Sequence, residues 1–486
     1  SGRIFEWIAP DPTSGAPRGN YEPVIQLATP KQQQLYSLNA THRINKNASI
    51  RSELSLSNND LNRFSSVGDD DNLGLASYTN YQHLFNLGAK GWQLTTDLSY
   101  EWVQSRFQAL NPYRNAEFQR DWNIQGQERR MEQIGKGGFR LQKQGLGSLK
   151  YEFSGFVRDS IYEGQKHLVQ LEVSKNGWEI DGQTNLLNST SQIESSRFFR
   201  PKLRITKTFE KLNNWQLQWY GEREKNDRFL LGTDTLSAQS FYYDLYRTRL
   251  QSPKSEKLNT GVQYSQRFDY LPFEDRFKQI AVAEEVNWNG DWRGGRVSRL
   301  NWNLTYRNLE VRQDRTNLEP QETYLGRIQH QLNAWKGTIR SSTTYEIGSG
   351  QEPKIEYNYL KVQKGEGTYV WMDYNQDSIA QVNEFEIANF QDVADYVRVS
   401  IFTDDFIRSN QVQYNQSLMI DPKRLWQREE GVKKVLSKFS TQSSWRINRK
   451  VRALEQVSAW NPFQLNIADT ALVATSSLIR IVTIEK

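Results

Sequence analysis

The sequence predicts an all-β protein, a large antiparallel transmembrane β-barrel of roughly 16–20 strands with long polar loops. Runs of about ten residues alternate between apolar and polar side chains. Aromatic residues make up 12% of the 486 residues, with 15 Trp and 23 Tyr, although only 37% are hydrophobic and the mean hydropathy is -0.78. The chain also lacks the stretch of about 18 apolar residues that a membrane-spanning helix requires.

The clearest candidate strand covers residues 92–102. One face is mainly apolar and the other is polar, so the first suits lipid and the second suits water. The apolar face comprises Trp92, Leu94, Thr96, Leu98, Tyr100 and Trp102, and the polar face comprises Gln93, Thr95, Asp97, Ser99 and Glu101. The same alternation recurs at 149–155, 203–209, 215–219 and 300–306.

Turn signals separate these runs. Asn176-Gly177 lies between the alternating runs 169–173 and 178–186. An Asn-Gly pair favours the type I′ hairpin turn, which needs positive φ at both central residues. Asn213-Asn214 separates the next pair of runs, so the chain is expected to form an antiparallel meander.

A soluble multi-sheet protein is the alternative. Three observations favour the membrane barrel: the strands are long for a β-sandwich, no repeat of fixed period marks a propeller or solenoid, and some polar faces are too hydrophilic for a packed interior. One such face comprises Arg299, Asn301, Asn303, Thr305 and Arg307.

The predicted organisation is a Pro-rich extended lead-in or plug-like segment at 1–33, followed by the barrel at 34–486. The barrel carries a long calcium-type loop at 348–396, and residues 106–135 and 223–238 are also predicted as extended loops. Since the chain begins at Ser1 and ends at Lys486 without a terminal aromatic residue, we expect it to be a segment of a longer protein at both ends.

One motif points to metal chemistry. Residues 373–384 resemble the calcium-loop pattern, in which alternate residues direct six to eight oxygen ligands at one ion. The predicted ligands are Asp373, Asn375, Asp377, the backbone carbonyl of Ile379, Gln381 and Glu384. Ser378 stands where the pattern has Gly, and a strand-like segment precedes the loop instead of a helix. We therefore expect a structural Ca²⁺ clip, and the alternative is a solvated Asp/Asn-rich turn.

Other residue classes predict less. Asp69-Asp70-Asp71 is expected to be a solvated turn, with a second cation site as the alternative, and His42, His83, His167 and His330 lack metal-ligand spacing. The chain has no Cys and no recognisable nucleophile or phosphate-binding motif, so no catalytic residue and no enzyme activity are predicted. The formal charge of +6 comes from well-mixed charges without a long Lys/Arg run, so no nucleic-acid partner is predicted.

Two stretches resemble large, mostly uncharacterised outer-membrane proteins of the Bacteroidota. One is Ser52–Ser66, and the other runs from Gly365 to Asp377 and continues through Asn383–Phe390 and Tyr396–Val399. The resemblance implies an outer-membrane location and a calcium-type loop. It implies neither a reaction nor a substrate.

Three functions follow as hypotheses. The first is a non-enzymatic outer-membrane barrel, either a channel or a subunit of an envelope complex for secretion, assembly or uptake. Its partners would be outer-membrane lipid and other envelope proteins. The second is an adhesin-like surface-binding protein with loops stiffened by calcium. The third is a barrel-embedded enzyme acting on lipid or glycan.

Overall fold

The computed structural model describes residues 8–19, 29–88, 91–124, 130–233, 235–312, 319–378, 380–452, 460–464 and 472–485. Within them, 21 strands belong to one antiparallel sheet, and the α-helices are three short ones. The predicted fold class, an all-β chain built on one large antiparallel sheet, is confirmed. The strand number slightly exceeds the predicted range because two of the strands have only three residues each.

The chain divides into two compact units. The first comprises Ser1–Gln144, Ser148–Val169 and Asn185–Arg197, and the second comprises Gly145–Gly147, Gln170–Thr184 and Phe198–Lys486. The strands of the first unit are β1 (Gln32–Arg43), β2 (Ala48–Asp60), β3 (Leu73–Leu87), β4 (Trp92–Val103), β5 (Glu132–Lys143) and most of β6 (Gly147–Arg158). It also contains α1 (Phe118–Asp121). β1 to β5 pair in sequence order, each antiparallel to the next.

Three strands contribute residues to both units: β7 (Tyr162–Lys175), β8 (Trp178–Ser191) and β9 (Glu194–Phe209). The later strands belong to the second unit. They are β10 (Trp215–Leu230), β11 (Phe241–Gln251), β12 (Leu258–Phe273), β13 (Arg276–Gly294), β14 (Ser298–Val311), β15 (Gln321–Ala334), β16 (Ile339–Lys361), β17 (Tyr369–Trp371), β18 (Phe385–Ile387), β19 (Tyr396–Ile420), β20 (Phe439–Arg452) and β21 (Leu472–Glu485). The helices α2 (Lys423–Trp426) and α3 (Val432–Leu436) lie between β19 and β20.

The second unit is also a meander, with one insertion. β10 to β16 pair in sequence order. β16 then pairs with β19 over most of its length, so β17 and β18 form a small hairpin within the connection between them. β19, β20 and β21 complete the series.

The predicted two-faced strands are present. On β4, Leu98 and Tyr100 are 56% and 48% exposed although they are apolar. On the opposite face, Asp97 Oδ2 accepts a hydrogen bond of 2.9 Å from Asn80 of β3. A soluble sheet would bury its apolar face against another layer, whereas a lipid-facing sheet leaves it exposed and keeps the other face polar.

Hairpin geometry follows the sequence signals. Asn176 and Gly177, with φ of 51° and 74°, join β7 to β8, as the type I′ prediction requires. Asn213 and Asn214 also have positive φ, 54° and 65°.

The connections differ widely in length. In the second unit, residues 295–297 join β13 to β14, whereas 362–395 join β16 to β19. The predicted loops are shorter than expected: β16 continues to Lys361, and β10 continues to Leu230 and includes much of 223–238. The ends of these long strands are polar and have the composition of loops, which is why they were predicted as loops.

The lead-in contains the described residues 8–19, where Asp11 is the centre of a turn. Its Oδ1 accepts hydrogen bonds from the backbone N–H groups of Thr13 and Ser14, and Arg18 is 3.0 Å from its Oδ2. These interactions lower the pKa of Asp11, the backbone hydrogen bonds most strongly. β1 begins at Gln32, close to the predicted boundary at 33. Among the described residues, helices of membrane-spanning length and hydropathy are absent.

Candidate functional site

The predicted calcium loop lies in the connection between β16 and β19. It follows β17, and the turn Val382–Glu384 leads directly into β18. The motif therefore joins the two strands of a small hairpin. A strand and not a helix precedes it, as predicted.

Four of the predicted ligands are hydrogen-bonded to the loop itself. Asp377 Oδ2 accepts from the amides of Asn375 (2.8 Å) and Gln381 (2.7 Å). Asp373 Oδ2 accepts the backbone N–H of Ser378 at 3.0 Å. These bonds give the loop a compact turn, so the loop is ordered by its own side chains.

Glu384 is the most buried member of the motif, with 1% of its surface exposed. Its Oε2 accepts hydrogen bonds from the indole Nε1 of Trp371 (3.0 Å) and the backbone N–H of Gln381 (3.2 Å). The Glu384 side chain thus caps the turn at the end of the motif. Ile379 lies outside the described residues.

Two features fit a calcium ion and one does not. Asp373 Oδ1 is buried without a hydrogen-bond partner, and a hard cation would satisfy it. Ser378 adopts φ of 60°, the left-handed conformation that the pattern normally assigns to Gly. However, the described residues contain no group of three or more His, Cys, Asp or Glu side chains placed to hold a metal ion. The oxygen chemistry fits calcium, but the three carboxylates do not converge.

Apolar side chains are exposed around this motif. Tyr374, Val382, Ile387 and Phe390 are 59%, 61%, 69% and 72% exposed. The hydroxyl of Tyr374 donates to Glu386 Oε1 at 2.6 Å, and this bond raises the pKa of Tyr374. Glu386 is therefore a partner of Tyr374.

A second arrangement lies on the polar face of the first unit. We call residues 104–124, which follow β4, the inner segment. Its Arg114 lies 2.7 Å from Glu101 and 2.8 Å from Glu132, and Arg158 lies 2.7 Å from Glu132. These four side chains are largely buried from solvent, and Glu101, Glu132 and Arg158 belong to the polar faces of β4, β5 and β6. The ion pairs fix the inner segment against that face.

An aromatic cluster holds the far end of the inner segment. Trp122 and Phe156 are 2% and 0% exposed, with ring centroids 5.1 Å apart, and Phe118 lies 5.7 Å from Phe156. The hydroxyl of Tyr162 donates to the carbonyl of Trp122. Asn123 Nδ2 donates to Ser196 Oγ at 2.7 Å. Because the Trp122 and Phe156 rings are buried on an otherwise polar face of the sheet, this is the main apolar contact of the inner segment.

The near end of the inner segment contacts the first strands. The backbone N–H of Gln108 donates to Ser57 Oγ at 3.0 Å, and Gln33 Nε2 donates to the carbonyl of Gln108 at 3.3 Å. The inner segment therefore contacts the polar face from β1 and β2 to β9. Residues 106–135 were predicted as an extended loop. The apolar residues Phe118, Trp122 and Ile124 are the part of this sequence that signals a buried position, and Trp122 and Ile124 are 2% and 1% exposed.

The comparisons with known proteins concern the fold. No family model matches the chain, and no curated protein matches its sequence. Solved structures to which the chain has a distant similarity include the siderophore receptor PirA from Pseudomonas aeruginosa, with 9% identity, a TM-score of 0.33 and coverage of 85% of this chain and 77% of that one. The alcaligin outer membrane receptor FauA from Bordetella pertussis has 9% identity and a TM-score of 0.28, over 95% of this chain and 66% of that one.

The RagAB peptide importer is a third similar structure, with 8% identity and a TM-score of 0.26 over 94% of this chain and 72% of that one. The chain spans 66% of the length of FauA and 60–62% of the length of three further solved structures. All of the TM-scores lie well below 0.5, so the fold assignment rests on the strand order and on the faces of this chain itself.

The remaining sequence candidates are parts of the sheet or its turns. Each of the four histidines lies in a strand, and His83 accepts or donates a 3.0 Å hydrogen bond with the Tyr81 hydroxyl. Asp69–Asp71 form a single turn in which Asp69 Oδ1 accepts from Asn72. This is the solvated turn that the sequence favoured.

Proposed function

We propose that the chain is a non-enzymatic β-barrel of the bacterial outer membrane that takes up or passes solutes along its polar face. The observation that carries the proposal is the division of long strands such as β4 into an exposed apolar face and a polar face with ion pairs. Water-filled membrane barrels need this division, and it leaves the polar face as the surface that a solute would meet.

The inner segment gives the passage a constriction. It lies on the polar face of the first unit and is held there by ion pairs at Arg114 and rings at Trp122. A segment fixed in this way reduces the space that solutes have along the polar face. Its removal would increase solute passage and leave the strands paired.

The decisive experiment uses the native full-length protein. Fractionation should place it in the outer membrane, and unboiled protein should migrate faster on a gel than boiled protein. In planar bilayers it should conduct, and removal of residues 107–124 should raise the conductance. A soluble protein whose migration is independent of boiling would contradict the proposal.

A second candidate function is surface binding through the β16–β19 connection. The exposed apolar side chains of Ile387 and Phe390 favour it, because contiguous apolar patches often mark protein contacts. If the connection binds a protein at the cell surface, changing both residues to Ser would abolish that binding and leave conductance unchanged. Loss of conductance in the same variant would contradict this division of roles.

We further propose that the β16–β19 connection binds Ca²⁺ as a structural ion. The orphaned Asp373 Oδ1 and the left-handed Ser378 support this proposal. Asn375, Asp377 and Gln381 would exchange their mutual hydrogen bonds for the ion. The ion would supply only rigidity, since the proposed uptake requires no chemistry at this loop.

A further inference from the structure

Two arginines flank one tyrosine on the polar face of the second unit. Tyr220 of β10 is paired with Arg247 of β11 in the ladder, so their side chains share a face. The Cζ atoms of Arg247 and Arg204 of β9 lie 5.4 Å and 5.9 Å from the Tyr220 ring centroid. The ring therefore lies between two guanidinium groups that are both exposed.

Several other cations of this face have carboxylate partners. Arg327 lies 3.1 Å from Glu346, and Arg267 lies 2.8 Å from Asp269. Neither Arg204 nor Arg247 has a carboxylate partner among the described residues. Their contacts are with the Tyr220 ring, whose attraction for a cation is weak when water is present.

The surrounding charge does not compensate for this pair. Arg249, two residues beyond Arg247, donates to the neutral amides of Gln251 (2.8 Å) and Asn289 (3.3 Å). Across the ladder, Arg247 faces the neutral Ser265 of β12.

Glu222, the acid that contacts Tyr220, already has partners. It accepts hydrogen bonds from Tyr220 (2.6 Å) and Tyr243 (3.0 Å) and pairs with Lys202 at 3.1 Å. Lys202, Arg204, Arg247 and Arg249 thus lie around Glu222 on this part of the polar face. Glu172, Glu179 and Asp181 line a pocket together with Arg204, but none of the three forms an ion pair with it.

We propose that Arg204, Arg247 and Arg249 form an oxyanion-binding site, which takes the phosphate or carboxylate group of a solute at the polar face. Guanidinium groups bind such oxygens through paired N–H donors. The bound anion would also relieve the repulsion among three neighbouring cations. As the solute is taken to be the cargo, this inference rests on the proposed function and narrows it to anionic solutes.

The test measures binding of inorganic phosphate to the full-length protein in detergent micelles at low ionic strength, by calorimetry. Arg204→Gln/Arg247→Gln should weaken phosphate binding about tenfold or more, since charged hydrogen bonds are lost. The matched control is Arg293→Gln/Arg327→Gln, which removes the same charge from two arginines that pair with Asp291 and Glu346. This control should keep the affinity of the unmodified protein.

Either of two results would overturn the site: equal phosphate affinity in the unmodified protein and the Arg204/Arg247 variant, or equal loss in both double variants, which would mean that total charge alone attracts phosphate. Heat-modifiability of each variant confirms that it is folded. Because binding in micelles does not need passage, a protein that binds phosphate but fails to conduct contradicts the proposed function and leaves this site intact.

Discussion

Trp371 donates its indole N–H to the buried Oε2 of Glu384 at 3.0 Å. This bond links β17 to the last residue of the calcium-type motif. Glu384 thereby has a structural role in the turn whether or not an ion is bound, so substitutions at Glu384 mix two effects. Asp373, whose Oδ1 is buried without a partner, is the cleaner position for testing the ion.

The calcium prediction concerns protease resistance of the β16–β19 connection. Ca²⁺ should protect the full-length protein from trypsin at Lys364, a chelator should remove the protection, and Asp373→Asn should abolish it, because a neutral amide is a weaker ligand than a carboxylate. Asp392→Asn in the same connection is the matched control and should retain the protection. Equal cleavage with and without chelator in the unmodified protein would contradict the site.

The lipid-facing prediction compares neighbours on β4. Leu98→Arg should destabilise the membrane-inserted protein by about 2–4 kcal/mol, because it places a charge within the bilayer. Ser99→Arg, one residue along on the polar face, should cost much less. The measurement is the fraction of folded protein against urea concentration in lipid vesicles, read from gel migration. Equal destabilisation by both changes would show that the faces are not divided between lipid and water.

The inner segment depends on its aromatic anchor. Trp122→Ala should weaken docking by about 3–5 kcal/mol, the range for removing a large buried ring, and should increase hydrogen exchange across 107–124. Phe64→Ala is the control, since Phe64 is 88% exposed in the β2–β3 connection. Unchanged exchange in the Trp122 variant would mean that the ion pairs of Arg114 hold the segment alone.

The β7–β8 hairpin requires glycine. Gly177 has φ of 74°, and an added Cβ would lie 2.7 Å from the carbonyl oxygen of Thr208. Gly177→Ala should therefore destabilise the fold by at least about 1 kcal/mol and lower the urea midpoint. Gly155→Ala on β6, where a Cβ has ordinary room, provides the comparison. A midpoint that is lowered more by Gly155→Ala would contradict this account.

The sequence by itself determined the two-faced strands and several turns. Alternation at 92–102 and 300–306 predicted the faces of β4 and β14, because side chains point to opposite sides of a strand at every second residue. Asn176-Gly177 predicted its hairpin for an equally local reason, the positive φ of a type I′ turn. Both depend on neighbouring residues only.

The tertiary structure decided where the polar residues meet. Arg114 pairs with Glu132, 18 positions further along the chain, and Trp122 of the inner segment packs on Phe156 of β6. A sequence pattern does not show that these residues are in contact. Arg204 and Arg247 likewise became neighbours only when β9, β10 and β11 lay side by side. The calcium-type motif combines both cases. Its residue spacing is local and can be recognised in the sequence, whereas the direction of the Glu384 carboxylate depends on Trp371 and the turn around it.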